Sequence, residues 1–140
     1  MPYEMMVDRY GVYKRFRGKV TYHEYAESQE RVFCDPNVEH FRYVINDLLA
    51  VDSYSVSREQ VEYLAALNRG PSVRNPGLQV AYVTTDIRAK ALVEIARHIS
   101  SFKLHIFPTL EETLRWAERL TPTPYLPHFG TANTETPRAA

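Results

Sequence analysis

Three serines, Ser53, Ser55 and Ser57, crowd into the stretch VDSYSVSREQ (51–60), between an apolar run and a segment with helical spacing. Hydroxyls in such a place can accept hydrogen bonds from the free N–H groups that open a helix, or take a phosphate whose charge the helix dipole tolerates. Ser57 fits the first role. Gln60 follows it at the capping-box interval, and Val56 and Val61 stand in the staple positions. For the second role the candidates are Ser55 and Ser57. Asp52, Ser53 and Ser55 are the candidate binding residues, because a loop from the carboxyl end of a buried strand to a helix start is where α/β proteins place ligand contacts.

Other residues with chemical potential are scattered. Of the five histidines, His23 falls in the first turn of a helical segment, His40 before a strand, His98 near a helix end, His105 on a strand and His128 near the C-terminus. None stands at metal-ligand spacing from another, so no metal site and no catalytic residue is assigned. The single cysteine, Cys34, can make no internal disulfide and excludes cysteine-rich zinc sites; burial as a small hydrophobe is its expected state. No glycine-rich phosphate cradle follows a strand, because RGPSVRNPG (69–77) is a proline-bearing turn that precedes one. Asp47, Asp52 and Asp86 lie at separate strand ends, and Asp86 is the alternative to Thr85 as the cap of the helix that follows. Tyr43, Tyr54, Tyr63 and Tyr82 could line a pocket, or close the core against water.

Composition narrows the partners. Seventeen basic residues balance seventeen acidic ones, so there is no cationic excess for a phosphate backbone or an anionic membrane. Nucleic acid and membrane are excluded as expected partners, and no cofactor is expected. No stretch approaches the ~20 apolar residues of a membrane span, and no secretory leader is recognisable, which makes a cytoplasmic location the expectation. At 140 residues the chain is long enough to bury roughly two-thirds of its unfolded surface without a metal or disulfide.

The elements that must position these residues follow from hydrophobic period. YEMMV (3–7) and VYKRF (12–16) are β-prone runs around DRYG, with Gly11 supplying the positive φ of a tight reversal. Thr21 and Glu24 form a capping box, with Val20 and Tyr25 as its staple, so a helix is expected from about residue 22 until Asp35-Pro36-Asn37 stops it. FRYVINDLLAV (41–51) and LQVAYV (78–83) read as buried strands, and KLHIF (103–107) as a strand nearer an edge. Apolar stripes predict helices over 58–68, 87–99 and 110–120, the last opened by TLEE (109–112) as another capping box. The expected fold is α/β, with order ββαβαβαβα. It is a mixed sheet of four to five strands with a leading hairpin, parallel right-handed crossovers and helices packed on it.

TPTPYLPHFGTANTETPRAA (121–140) is rich in Pro and Thr and lacks either hydrophobic period. Residues 1–120 are therefore read as one domain and 121–140 as a mobile tail. The alternative is that Tyr125, Leu126 and Phe129 dock on the body or on a second subunit, which leaves a homodimer open.

Gly18 after the second strand, VINDLLAVDSYS leading into a helix, and the closing HIFPTLEETLRWAERL resemble the STAS domains, named for sulfate transporters and anti-sigma-factor antagonists. The likeness spans residues 3–120 and is nearest to the stand-alone bacterial proteins similar to the sporulation anti-anti-sigma factor. Asp47-Leu48 followed by Ala50-Val51 is similar to the family's Asp-Leu-x-x-Val strand end. Asp52-Ser53-Tyr54-Ser55 lacks the glycine of the family's phosphoacceptor signature. The resemblance implies a STAS-like fold and a non-enzymatic module that regulates through a protein partner. The alternative from the residues is a carrier for a small apolar ligand, lipid-like or nucleotide-like, in a pocket between sheet and helices.

Overall fold

A computed structural model describes residues 3–121. The chain enters through β1 (Tyr3–Val7) and β2 (Gly11–Thr21), joined by a reversal in which the Asp8 N–H donates to the Gly11 carbonyl at 2.8 Å. Then follow α1 (Tyr22–Phe33), a 3-10 turn (Val38–His40), β3 (Tyr43–Ser55), α2 (Arg58–Ala66), α3 (Arg69–Arg74), β4 (Gln79–Val83), α4 (Ile87–Arg97), β5 (Lys103–Phe107) and α5 (Leu110–Arg119). The expected order holds with one addition. RGPSVR, expected as a turn, is the short helix α3, because Pro71 stands in its first turn, where a missing N–H leaves no bond unmade. The expected tail lies, from residue 122 onward, outside the described residues, as does His128.

The five strands form one sheet in the order β1-β2-β3-β4-β5; β1 is antiparallel to β2 and the remaining pairs are parallel. Register sorts the side chains into rows. Val12, Val44, Val80 and Leu104 lie side by side across β2 to β5, and the neighbouring row Tyr13, Ile45, Ala81 and His105 faces the other way. Each parallel connection steps one strand in the same direction, and right-handed crossovers therefore bring α1, α2 and α4 onto one face. On that face Val32 of α1 and Val93 of α4 pack against Val12, Val44, Val80 and Leu104. Only α5 among the long helices of the described residues lies on the other side. Its Trp116 and Ala117 close over Tyr13, Tyr43, Ile45, Ala81 and Val83 on the opposite face. Fully buried side chains such as Phe16, Phe41 and Ile45 each contribute roughly 1.5–3 kcal/mol.

Both glycines of the hairpin differ from their expected parts. Gly11 has no positive φ; it is the first residue of β2, and a Cβ there would lie 2.2 Å from the Tyr43 ring. Close approach, not reversal, demands it. Gly18 does not end its strand but lies inside it at φ 67°, where β3 bulges against β2. Pairing jumps from Arg15↔Asp47 to Arg17↔Ala50 and from Gly18↔Val51 to Lys19↔Ser53, so β3 carries two extra residues. Such bulges increase local twist and re-aim the side chains beyond them.

Candidate functional site

The 51–57 segment is not a loop. β3 continues through Ser55, with Ser53 paired to Lys19, Tyr54 to Val20 and Ser55 to Thr21, and only Val56 and Ser57 connect it to α2. The correction has a physical cause. β4 pairs with β3 only as far as Asp47, but β2 is long enough to carry β3 onward as a two-stranded ribbon with mixed polarity. Asp52 and Ser55 are exposed there, and Ser53 is half-buried. Ser57 is exposed and caps α2: its Oγ accepts from the Gln60 N–H at 3.1 Å, while Gln60 Oε1 accepts from the Ser57 N–H at 2.9 Å.

Arg88 fastens the ribbon end to α4. It is paired with Asp86 at 2.7 Å, and its Nη2 donates to the Asp52 carbonyl at 3.1 Å, with the guanidinium over the Tyr54 ring. Asp86 caps α4, accepting from the Arg88 N–H at 2.8 Å, as the alternative to Thr85 had it. Hydrogen bonds from Arg88 hold the Asp86 carboxyl below its ordinary range. Beside this pair, Ile87 stands 79% exposed. Arg88 and Ile87 thus adjoin the ribbon at Asp52 and Tyr54, while Ser53 and Ser55 alternate to the other face of the strand.

A cavity of about 90 Å³ lies between the sheet and α1, α2 and α4. Leu48, Val61, Leu64, Ala89, Leu92 and Val93 supply apolar wall, and Tyr25, Tyr54 and Tyr82 add rings with polar tips. Of the tyrosines expected at a pocket, Tyr54 and Tyr82 are there. Tyr43 is buried on the opposite face against Gly11, and Tyr63 points outward, 56% exposed. Sequence reasoning placed Tyr25 on the apolar stripe of the first helix and in its staple but not at a pocket; its apolar spacing along α1 was the available signal.

The hydroxyls of Tyr25 and Tyr82 meet at 2.9 Å. Burial pushes both phenols up, Tyr25 more strongly, and it pushes Tyr54 up to about 12. Lys14, on the same face of β2, is 2% exposed; its Nζ donates to Ser28 Oγ at 3.0 Å and lies 4.8 Å from the centre of the Tyr25 ring. Burial, with Arg31 nearby, lowers its amine to about 7. Lys14 is not part of the cavity wall.

The remaining polar residues form no further centre. Asp47, buried on the α5 face, accepts from the Tyr13 hydroxyl at 2.5 Å and from the Leu49 N–H at 3.1 Å. Burial and that carboxylate raise the Tyr13 phenol. His105 meets Gln79 Oε1 at 2.7 Å beside Trp116, and burial lowers its imidazole. Cys34, expected to be buried, is exposed at the end of α1, beyond the last residue that the helix turns toward the sheet. Among the described residues no group of three His, Cys, Asp or Glu could hold a metal ion, and no helix is long and apolar enough to cross a membrane.

No protein-family model matches the chain, and no curated protein matches it. Solved structures do. The anti-sigma factor antagonist SpoIIAA in its unphosphorylated form superposes with a TM-score of 0.58 at 12% identity, covering 83% of this chain and 97% of that one. An uncharacterized protein from the DUF3478 family with a SpoIIAA-like fold, from Shewanella loihica PV-4, gives 0.54 at 16% identity, covering 82% and 93%. At these identities the likeness concerns the fold. The chain has a SpoIIAA-like, STAS-like α/β fold, in agreement with the resemblance in its sequence.

Proposed function

We propose that the chain is a non-enzymatic, cytoplasmic regulatory module that binds a protein partner through the ribbon end of β3. The supporting observation is the exposure of Asp52 and Ser55 at the ribbon end, next to the start of α4, where Ile87 is exposed and Arg88 ties the helix to the Asp52 carbonyl. SpoIIAA, which shares the fold, is an anti-sigma factor antagonist with a form described as unphosphorylated. Ser55 and Ser57 are this chain's candidate phosphoacceptors. A phosphate on Ser55 would add nearly two negative charges to the surface, whereas one on Ser57 would also compete with the cap of α2.

The test pairs binding with stability. The protein recovered with the tagged chain from its host is purified and titrated against the parent and the variants Ser55→Asp, Ile87→Arg and Ser57→Ala. Ser55→Asp and Ile87→Arg should change affinity by about tenfold or more with little change in melting. Ser57→Ala should lower the melting temperature and bind like the parent. Parent-like binding by both Ser55→Asp and Ile87→Arg would overturn the proposal.

A further inference from the structure

The cavity has a feature that packing does not require. Two phenol hydroxyls carry two protons, and the contact between Tyr25 and Tyr82 uses one of them, whichever oxygen donates. The second proton has no acceptor among the described residues. Both rings lie deep in the protein, yet part of each stays accessible because it borders the cavity. Of the other polar side chains of the wall, Gln29 Nε2 donates to the Leu64 carbonyl at 3.3 Å and Asn68 Nδ2 to Ser100 Oγ at 3.0 Å, and the buried Tyr54 hydroxyl lies toward Thr84. A spare buried donor beside an apolar wall is costly unless something accepts from it.

We propose that this cavity is a binding site for a small neutral molecule with an apolar body and one carbonyl oxygen, which accepts the free proton of the Tyr25–Tyr82 pair. No charged residue lines the cavity among the described residues, so a carboxylate or ammonium would enter without a counter-charge. Size limits the body: a cavity of ~150 Å³ admits benzene, and this one, open at one side, measures about 90 Å³. That encloses a carbonyl compound of on the order of four heavy atoms, with room for about one or two more at the open side. Leu48, Val61, Leu64, Ala89 and Val93 would take the body and the phenols the oxygen. The inference stands independently of the partner surface, which lies outside the cavity.

Cyclopentanone is the probe, followed by methyl shifts of Val61, Leu64 and Val93 in NMR titrations. Saturable shifts at these residues are expected. Tyr25→Phe and Tyr82→Phe alone should each bind nearly as the parent, because the surviving hydroxyl then has its own proton to donate. The double variant, with neither, should bind about five- to tenfold more weakly. Ala96→Leu, which extends a side chain from the wall into the space, should abolish the shifts. Shifts that do not saturate, or that arise elsewhere, would overturn the proposal, as would parent-like binding by the double variant. Should the double variant fail to fold, Ala96→Leu decides, because binding that survives it is not in this cavity.

Discussion

The ammonium-bearing side chain of Lys14 is buried against Ser28, its Nζ donating to the serine Oγ at 3.0 Å, with no carboxylate within ion-pair distance among the described residues. Ser28 in turn donates to the Tyr25 carbonyl at 2.8 Å, so α1 meets β2 through a polar seam inside an apolar face. The rings of Tyr25 and Phe16, 4.8 and 5.8 Å from Nζ, supply the remaining stabilisation of its charge.

Stability should therefore rise with pH above neutrality. Lys14 has a folded-state value of about 7, below its unfolded value, so from there to about pH 10 the unfolded chain holds a proton that the folded one has released. The slope is at most ~1.4 kcal/mol per pH unit. Beyond pH 10 the buried phenols of Tyr13 and Tyr25 reverse the sign, since the unfolded chain loses those protons first. Urea denaturation at successive pH values should show a maximum at about pH 9 to 10. Lys14→Met should flatten the rising limb and match or exceed the parent at pH 7.

Gly11 and Gly18 should fail differently. Gly11→Ala drives a methyl into the Tyr43 ring and should cost about 1–3 kcal/mol, and a Tyr43→Leu background should reduce that cost. At Gly18 nothing lies within 4 Å, so the cost of alanine is conformational, about 1–2 kcal/mol, and should be indifferent to Tyr43. A double-mutant cycle read by denaturation separates the two.

Three helix caps offer graded losses. Thr21→Ala and Ser57→Ala each remove one arm of a complete capping box and should cost about 0.5–2 kcal/mol. At α5 Thr109 accepts from the Glu112 N–H at 3.2 Å. The expected box is half made there, since no return bond from the Glu112 side chain forms. Glu112→Ala should consequently destabilise less than Glu24→Ala or Gln60→Ala in the same melting series.

Trp116 joins α5 to the sheet, packed 5.1 Å from His105 and 5.6 Å from Phe107, centre to centre. Trp116→Ala should cost about 3–5 kcal/mol by calorimetry.

Hydrophobic period and caps carried the strands, four of the helices and their starts, because these depend on near neighbours in sequence. What escaped depends on distant ones. Lys14 lies in VYKRF as an ordinary charged residue, and nothing near it announces that Ser28 will meet it. Gly11 reads as a turn residue until Tyr43 is placed against it, and Ser53 and Ser55 read as loop until β2 proves long enough to pair with them. Of the candidate site, sequence reached the serines and two of the cavity's tyrosines. The contact between Tyr25 and Tyr82 spans 57 positions and has no local trace.

Strand order in space repeats strand order along the chain, from β1 to β5. A ribosome therefore releases the strands in the sequence in which they pair, and each new one finds its neighbour already made, with no vacancy to be held open for a later arrival. The exception is the side of the sheet that α5 covers. Until the ten residues of α5 emerge, Tyr13, Ile45, Ala81 and Val83 have no cover, and the newborn chain carries an adhesive flank. Synthesis that stalls between β5 and α5 leaves a product with its sheet complete and one side bare, the form most prone to aggregate or to attract a chaperone.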